Sequence, residues 1–252
     1  MTNDARVVVL AHARSGSNSL VEVLDRHPAL SFINEPFNEN FATWGADNPD
    51  YVARLRSGEA FDVIVDELFA QYTAMKELTS QLDDDCLDRL VRRPNVRVIT
   101  LRRRNQLQTA VSQVIAEHTG LWKTWDATQP LDEHYRELPP LDLDLIANRM
   151  QWTAGDIARV DRAVGGVDPS RVFRVAYEDV YLAPPSRQRS LLDELWSFLD
   201  LPACEDPEID HFLSDAVRQA RPSTYGQAPN LAEIEARFGN DVTGHLEPWA
   251  AR

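Results

Sequence analysis

The first strand of this chain runs directly into a tight turn and a helix, and that succession limits the fold more than any other feature of the sequence. Residues 6–13 form an almost continuous apolar run, typical of a strand buried on both faces of a parallel sheet. Residues 17–27 then place apolar side chains at helical spacing, and the pattern stops before Pro28. A strand that turns directly into a helix is the repeating unit of α/β sheets.

Three more strands are predicted at residues 30–33, 96–101 and 171–176, and helical patterns follow the last two of them. Strands that alternate with helices favour parallel pairing with right-handed crossovers. We therefore predict an α/β fold, a P-loop-like open parallel sheet of about four to five strands with helices on both faces. All 252 residues form a single domain in this interpretation, with helical or irregular insertions at about 36–95 and 117–170.

Composition excludes several functional classes. The chain has 26 basic and 40 acidic residues, a formal net charge of −14, and would as a whole repel a nucleic-acid backbone or an anionic membrane surface. No window is apolar enough to span a membrane and the start carries no secretory signal, which predicts a cytoplasmic protein. Cys86 and Cys204 lack a CxxC motif and no His, Asp and Glu cluster has metal spacing, so we predict neither a disulfide nor a metal site.

The turn between the first strand and the first helix is a candidate anion site. Backbone N–H groups and the dipole of the following helix favour an anion there, and serine hydroxyls add donors. Serines also cap helices as plain structure, but the permanently charged Arg14 is better explained by a phosphate or sulfate ligand. Neither lysine, Lys76 or Lys123, is near in sequence, so this is not a Walker A loop, and one glycine is too few for a dinucleotide fingerprint. The predicted binding residues are Arg14, Ser15, Gly16, Ser17, Asn18 and Ser19.

A second basic cluster, Arg102–Arg104, follows the predicted third strand, and Asn105 is the predicted cap of the next helix. Arginines at a strand end can simply face water. In open parallel sheets, however, ligands bind outside the carboxyl ends of the strands, where this cluster, Arg14 and Glu35 are all expected to lie. We therefore predict a second anion site at this edge.

The order of these motifs resembles that of carbohydrate-type and bacterial sulfotransferases that use 3′-phosphoadenosine 5′-phosphosulfate (PAPS). Four elements match that order between residues 6 and 202. They are Arg14-Ser-Gly-Ser17 with the helix to Pro28, Phe32-Ile-Asn-Glu-Pro36, the Arg-x7-Ser spacing of Arg104 and Ser112, and Arg174-Val-Ala-Tyr-Glu-Asp-Val180 with the helix of 191–202. Behind a strand and in this order, the Arg-x7-Ser spacing is far more specific than it is alone.

The resemblance implies a function and a role for each residue. The enzyme would transfer a sulfuryl group in line from PAPS to a hydroxyl or amine of a small-molecule or carbohydrate acceptor, without a metal, and release adenosine 3′,5′-bisphosphate (PAP). The first turn would hold the 5′-phosphosulfate, with Arg14 stabilising charge on the leaving oxygen. Arg104 and Ser112 would hold the 3′-phosphate, and Arg221, in a basic C-terminal segment, would assist them. The two insertions would shape the acceptor site.

Glu35 is the predicted general base, because its counterpart in related sulfotransferases often takes the acceptor proton. The alternative is a structural carboxylate that holds Arg14 or caps the next helix. His118, placed on the apolar face of its helix and more typical of a core histidine, is the second candidate base, and His12 is interpreted as a strand residue. Tyr177 either bounds the adenine or belongs to the core.

Two other functions stay open at this point. A nucleotide-dependent kinase on a related P-loop-like fold would need a loop lysine and an acidic magnesium site, and the sequence offers neither clearly. A non-catalytic nucleotide-binding protein would keep the turn and lose the base, and the presence of Glu35 counts against it. Trp44, Trp122 and Trp125 are aromatic residues that either line an acceptor site or form the core of the insertions.

Overall fold

A parallel sheet of five strands, in the order β2-β3-β1-β4-β5, forms the centre of the molecule. The structure is a computed structural model that describes residues 5–39, 51–122, 130, 133, 135–214 and 225–246. The strands are β1 (Arg6–Ala11), β2 (Phe32–Asn34), β3 (Ala74–Leu78), β4 (Val96–Arg102) and β5 (Val172–Ala176).

Helices connect the strands and follow the last one. Before β5, the elongated helices that the structure describes are α1 (Ser17–Asp25), α2 (Tyr51–Arg56), α3 (Phe61–Gln71), α4 (Asp84–Arg92), α5 (Gln106–Thr119) and α6 (Leu143–Gly165). After β5 come α7 (Tyr177–Tyr181), α8 (Pro185–Phe198), α9 (Glu208–Leu213) and α10 (Leu231–Phe238). Short 3-10 turns lie at Thr79–Gln81, Pro169–Arg171 and Tyr225–Gln227.

Helices bury both faces of the sheet in two separate hydrophobic layers. Val8 and Leu10 of β1 pack in a layer with α3, α4 and α6. Val7 and Val9 pack in the other, with α1, α7, α8 and α9. Burial on both faces explains why β1 is apolar without alternation. The predicted α/β class, an open parallel sheet with helices on both faces, is therefore confirmed.

Strand β3 departs from the sequence prediction. It pairs with both β1 and β2 in the interior of the sheet, inside the segment 36–95 that the sequence presents as an insertion. Lys76 and Glu77 interrupt its apolar pattern, yet they are only 1% and 0% exposed. The interpretation of 36–95 as lying outside the sheet is therefore wrong, because β3 buries its two charged residues in polar contacts beside the fully buried apolar residues Ala74 and Met75.

The strand order opens a crevice at one edge of the sheet. β1 pairs in parallel with β3 on one side and with β4 on the other. The connections after neighbouring strands therefore diverge at the carboxyl end of β1, which is where ligands bind in open parallel sheets. The turn after β1, the residues after β2 and the start of α5 all lie at this edge.

Candidate functional site

The turn between β1 and α1 has the backbone that an anion site requires. Gly16 is the N-cap of α1 with a φ of 84°, and no side chain of the described residues caps this helix. A Cβ at Gly16 would lie 2.7 Å from Tyr181 and 2.9 Å from Tyr177, so a larger residue does not fit. The positive φ and the two tyrosine rings therefore both require glycine here, and the first N–H groups of α1, which no described side chain caps, suit an anion.

The other residues of the turn differ in their burial and in their contacts. Ser15 is fully buried and its hydroxyl donates to the carbonyl of His12 at 2.8 Å. Ser17 is buried and Ser19 half-buried on the first turn of α1. Asn18 accepts a hydrogen bond from the Lys76 ammonium at 3.1 Å. The hydroxyl of Ser15 therefore supports the turn, and Asn18 connects the helix start to β3.

Arg14 connects the turn to α5. Its φ of 62° is unusual for a residue with a side chain. Its Nε donates to the Ser112 hydroxyl at 3.0 Å, and its terminal nitrogens donate to the Trp122 carbonyl at 2.6 Å and the Tyr225 hydroxyl at 3.1 Å. The hydroxyls of Ser112 and Tyr225 are themselves 3.1 Å apart. Arg14 and Ser112, predicted to hold different phosphates, are therefore in direct contact.

The three arginines at the carboxyl end of β4 have different surroundings. Arg102 is half-exposed and lies 3.9 Å from Asp161. Arg103 is buried, with its guanidinium carbon 4.4 Å from the centre of the Tyr177 ring, and this burial lowers its pKa. Arg104 is more than half-exposed and pairs with Asp179, with one N–O distance of 3.0 Å. The cluster is thus one exposed arginine at each end and one buried arginine in the middle.

The predicted pairing of Arg104 with Ser112 does not occur among the described contacts. Arg104 contacts Asp179, whereas Ser112 contacts Arg14 and Tyr225. Their joint role in binding one phosphate stays a prediction. Asn105 caps α5 as expected, since its side chain accepts from the Gln108 N–H at 2.8 Å.

The carboxylate of Glu178 binds the backbone N–H groups just before α5. Glu178 accepts from the N–H groups of Arg104 and Asn105 at 3.0 and 3.1 Å. These N–H groups are therefore taken by the protein itself. An anion at this end of the crevice has to be held by side chains.

Glu35 lies on the other side of the turn in a set of polar contacts. It is 5% exposed, and its Oε1 pairs with the Lys76 ammonium. Its Oε2 accepts from Asn38 at 2.7 Å and from Gln81 at 2.8 Å. Burial raises the pKa of Glu35, but the Lys76 charge and these hydrogen bonds outweigh it, so the pKa lies below its ordinary value. Glu35 is thus an ionised, firmly held carboxylate.

Lys76 and Tyr225 are site residues that the sequence analysis missed. Lys76 is buried in β3 and links Glu35 to Asn18 of the turn. Lys76 belongs to no recognised motif. The feature that could have revealed it is its position beside Glu77 within a stretch of apolar residues. Tyr225 is fully buried and contacts Arg14, although only the basic residues of its segment drew attention.

The remaining candidate residues from the sequence lie in different surroundings, and three of them lie outside the described part of the chain. His118 is exposed in the last turn of α5, so its predicted place in the core is wrong, because α5 extends there past the layer that covers its preceding turns. Tyr177 is buried against Gly16 and Arg103. Arg221, Trp44 and Trp125 lie outside the described residues.

The described part of the chain shows neither a group of metal ligands nor a membrane-spanning helix. Within it, no three His, Cys, Asp or Glu side chains are grouped as a metal site would need. Among the helices that the structure describes, none is long and apolar enough to cross a membrane.

Comparison with known proteins finds likeness only among solved structures. No protein-family model matches the chain, and no curated protein matches it. The sulfotransferase domain from the curacin biosynthetic pathway is 16% identical, with a TM-score of 0.46, and the match covers 81% of this chain and 76% of that one. Mouse sulfotransferase SULT7A1, solved in complex with PAP, is 12% identical, with a TM-score of 0.46 and coverage of 96% and 69%.

A third similar structure is the sulfotransferase domain of the Synechococcus olefin synthase, 14% identical, with a TM-score of 0.45 and coverage of 82% of each chain. Identities and TM-scores this low do not carry an activity from those proteins to this one. These three similar structures are thus all sulfotransferases, the family that the sequence motifs resemble, while the function has to be argued from the residues of the site.

Proposed function

We propose that this chain transfers a sulfuryl group from PAPS to a hydroxyl or amine of a small-molecule or carbohydrate acceptor. One observation carries the proposal: the uncapped start of α1 lies beside the Arg14–Ser112 hydrogen bond. Two anion-binding elements of different origin therefore meet at the carboxyl end of β1. A nucleotide with charged groups on both its 5′ and 3′ positions requires such a pair.

The side chains around the turn suit this donor. Glycine at position 16 allows the left-handed backbone that opens α1, whose first N–H groups suit a phosphate, and Arg14 provides a planar, permanently charged fork. Ser112 and Tyr225 add two hydroxyl donors next to that fork. PAPS, when bound, supplies the sulfuryl group and a phosphate leaving group. Arg14 and the N–H groups of α1 then stabilise the negative charge that grows on the leaving oxygen.

Glu35 is the proposed general base. Its lowered pKa keeps it ionised at neutral pH, and an ionised carboxylate offers about four lone pairs to hydrogen-bond donors. The described donors Lys76, Asn38 and Gln81 use three of these lone pairs. Only Lys76 among them contacts Oε1, and the other two contact Oε2. The other lone pair of Oε1 is the position from which Glu35 takes the acceptor proton, while Lys76 keeps the carboxylate charged.

The acceptor site is proposed to lie between the turn and the two segments 36–95 and 117–170. Trp122 supports this position, because Arg14 holds its carbonyl while its side chain stays 44% exposed. An aromatic surface beside the donor site suits the apolar face of a sugar or another flat acceptor.

Nucleotide binding tests the donor class. We expect PAP at about 100 times its Kd to stabilise the protein by about 2.7 kcal/mol, while ATP and NAD at the same concentrations shift the melting temperature little. Thermal shift and calorimetric titration measure this directly. Equal stabilisation by PAP and ATP would refute the proposed donor, and PAP binding without transfer to any acceptor would favour a non-catalytic binding protein.

The Glu35→Gln variant tests the base. We expect its single-turnover rate with PAPS to fall about 10²-fold or more, because the amide cannot take a proton, while PAP affinity stays within about twofold. The acceptors are p-nitrophenol, glucosamine and 1-dodecanol, and the fastest is used for all variants. Glu77→Gln is the matched control. Burial raises the pKa of this neighbouring carboxyl, and its side chain leaves β3 on the face opposite to that of Lys76, the partner of Glu35.

A normal rate in Glu35→Gln would remove Glu35 from the mechanism. A loss of PAP affinity in parallel with the rate would instead assign it a purely structural role. The melting temperature does not discriminate, because the variant leaves Lys76 buried without its carboxylate in either case.

A further inference from the structure

His12 lies beneath both anion-binding elements and contacts each of them. It follows β1 directly and is 3% exposed. Its Nδ1 is 2.9 Å from the carbonyl of Ala13 in the turn, and its Nε2 is 3.0 Å from the backbone nitrogen of Arg103 in the connection to α5. The ring thus spans the gap between the two segments that approach the donor.

The two contacts determine where the proton sits. A carbonyl oxygen only accepts, so Nδ1 carries the hydrogen and donates to Ala13. A backbone N–H only donates, so Nε2 of His12 is unprotonated and accepts from Arg103. Burial lowers the pKa of His12 to about 4, which keeps the ring in this neutral form at neutral pH.

We infer that His12 is a positioning residue that sets the separation between the turn for the 5′-phosphosulfate and the α5 element for the 3′-phosphate. The inference rests on the proposed function. The Ser15 hydroxyl strengthens the turn side, because it donates to the His12 carbonyl. On the other side, Arg103 is followed at once by Arg104 and α5, so its position sets that of Ser112.

A second described link between the same segments is less suited to this task. Arg14 also bridges them through its hydrogen bond to Ser112, but both side chains are proposed to bind the donor. Their mutual contact therefore changes when the donor is present. The His12 contacts are made to backbone atoms below the crevice and persist with the ligand bound.

If His12 is a positioning residue, its substitution should weaken the joint binding of two phosphates on one nucleotide. The affinity for a nucleotide with one phosphate should change little. PAP carries both phosphates, 5′-AMP has only the one held by the turn, and 3′-AMP has only the one held by the α5 element. When the two sites are correctly spaced, binding of one phosphate presents the second at a high effective concentration. The ratio of the Kd of 5′-AMP to that of PAP measures this gain.

The test compares His12→Gln with His12→Asn by calorimetric titration of the three nucleotides. Gln reaches about as far as Nε2 and keeps an acceptor for the Arg103 N–H, whereas Asn ends at the level of Nδ1 and does not. We expect Gln to retain most of the gain and Asn to lose about tenfold or more of it, with the Kd values of 5′-AMP and 3′-AMP changed less than about threefold.

His27→Asn is the matched control. His27 is another buried histidine with a backbone hydrogen bond, to the Ala29 N–H at 3.1 Å, but it lies beyond the opposite end of α1. Its substitution should lower the melting temperature without changing the ratio. If the wild type binds PAP no better than 5′-AMP, the proposed function fails. If the wild type shows the gain and His12→Asn keeps it, or loses affinity for all three nucleotides equally, the inference on His12 is overturned.

Discussion

Two ion pairs flank the crevice, and they differ chiefly in their exposure. Lys76 and Glu35 have side chains 1% and 6% exposed, next to the turn. Arg104 and Asp179 have side chains 56% and 39% exposed, at the start of α5. Both pairs join a cation to a carboxylate from a different part of the chain. Their surroundings give them different energetic properties.

The buried pair is permanent and the exposed pair is exchangeable. Removing one partner of a buried pair leaves an uncompensated charge out of water, which costs far more than the pair itself is worth. An exposed pair contributes little, because water solvates either partner when the contact opens. We therefore expect Lys76 and Glu35 to stay together through the reaction and Arg104 to leave Asp179 for a phosphate.

The largest effect is expected on the buried side. Lys76→Met should lower the free energy of unfolding by about 3–5 kcal/mol, because Glu35 is left buried without its cation. Urea denaturation followed by circular dichroism measures the loss. The double variant Lys76→Met/Glu35→Gln should be more stable than Lys76→Met alone, since it carries no buried charge at this position. A loss below about 1 kcal/mol in Lys76→Met would show that the pair is not structurally required.

An intermediate effect is expected from Arg104. Arg104→Ala should weaken PAP by about 10- to 100-fold, the value of one charge-assisted contact, and leave 5′-AMP nearly unchanged. Unfolding free energy should change by less than about 0.5 kcal/mol, as is usual for an exposed position. Titration calorimetry and urea denaturation give both quantities. Equal weakening of the two nucleotides would disprove the role of Arg104 in binding the 3′-phosphate.

The smallest effect is expected from the carboxylate that competes with the phosphate. Asp179→Asn should tighten PAP by up to about fivefold, because Arg104 no longer has to leave an anion. Asp200→Asn makes the same charge change at an exposed carboxylate that pairs with Arg97, near the amino end of β4, and should leave PAP affinity unchanged. If both variants tighten PAP equally, overall charge and not the exchange at Arg104 is responsible.

The strand-turn-helix unit at residues 6–25 could be predicted from the sequence because its causes are local. A doubly buried strand requires an apolar run, and the turn requires a glycine at position 16. Asn105 begins α5 through its own side chain, and Asp83 begins α4 in the same way. Parallel pairing follows from alternating strands and helices. The fold class and the turn at the start of α1 could therefore be predicted from the sequence alone.

The contacts across the crevice were decided by the tertiary structure. Two adjacent charged residues concealed strand β3 in the sequence, and Lys76 is accommodated in the sheet by its contacts with Glu35 and Asn18. The contact of Arg14 with Ser112 joins residues from different connections of the sheet. Periodicity shows which face of an element is buried, but not which elements become neighbours.

The same limit applies to the surroundings of the three arginines at the carboxyl end of β4. The sequence alone determined that three of them stand together at a strand end, and it predicted an anion site there. Only the packing of α7 decided their surroundings, by placing Tyr177 against Arg103 and Asp179 against Arg104. A charged side chain takes its role from partners that the chain brings from elsewhere, because its free energy depends on the groups that replace water around it.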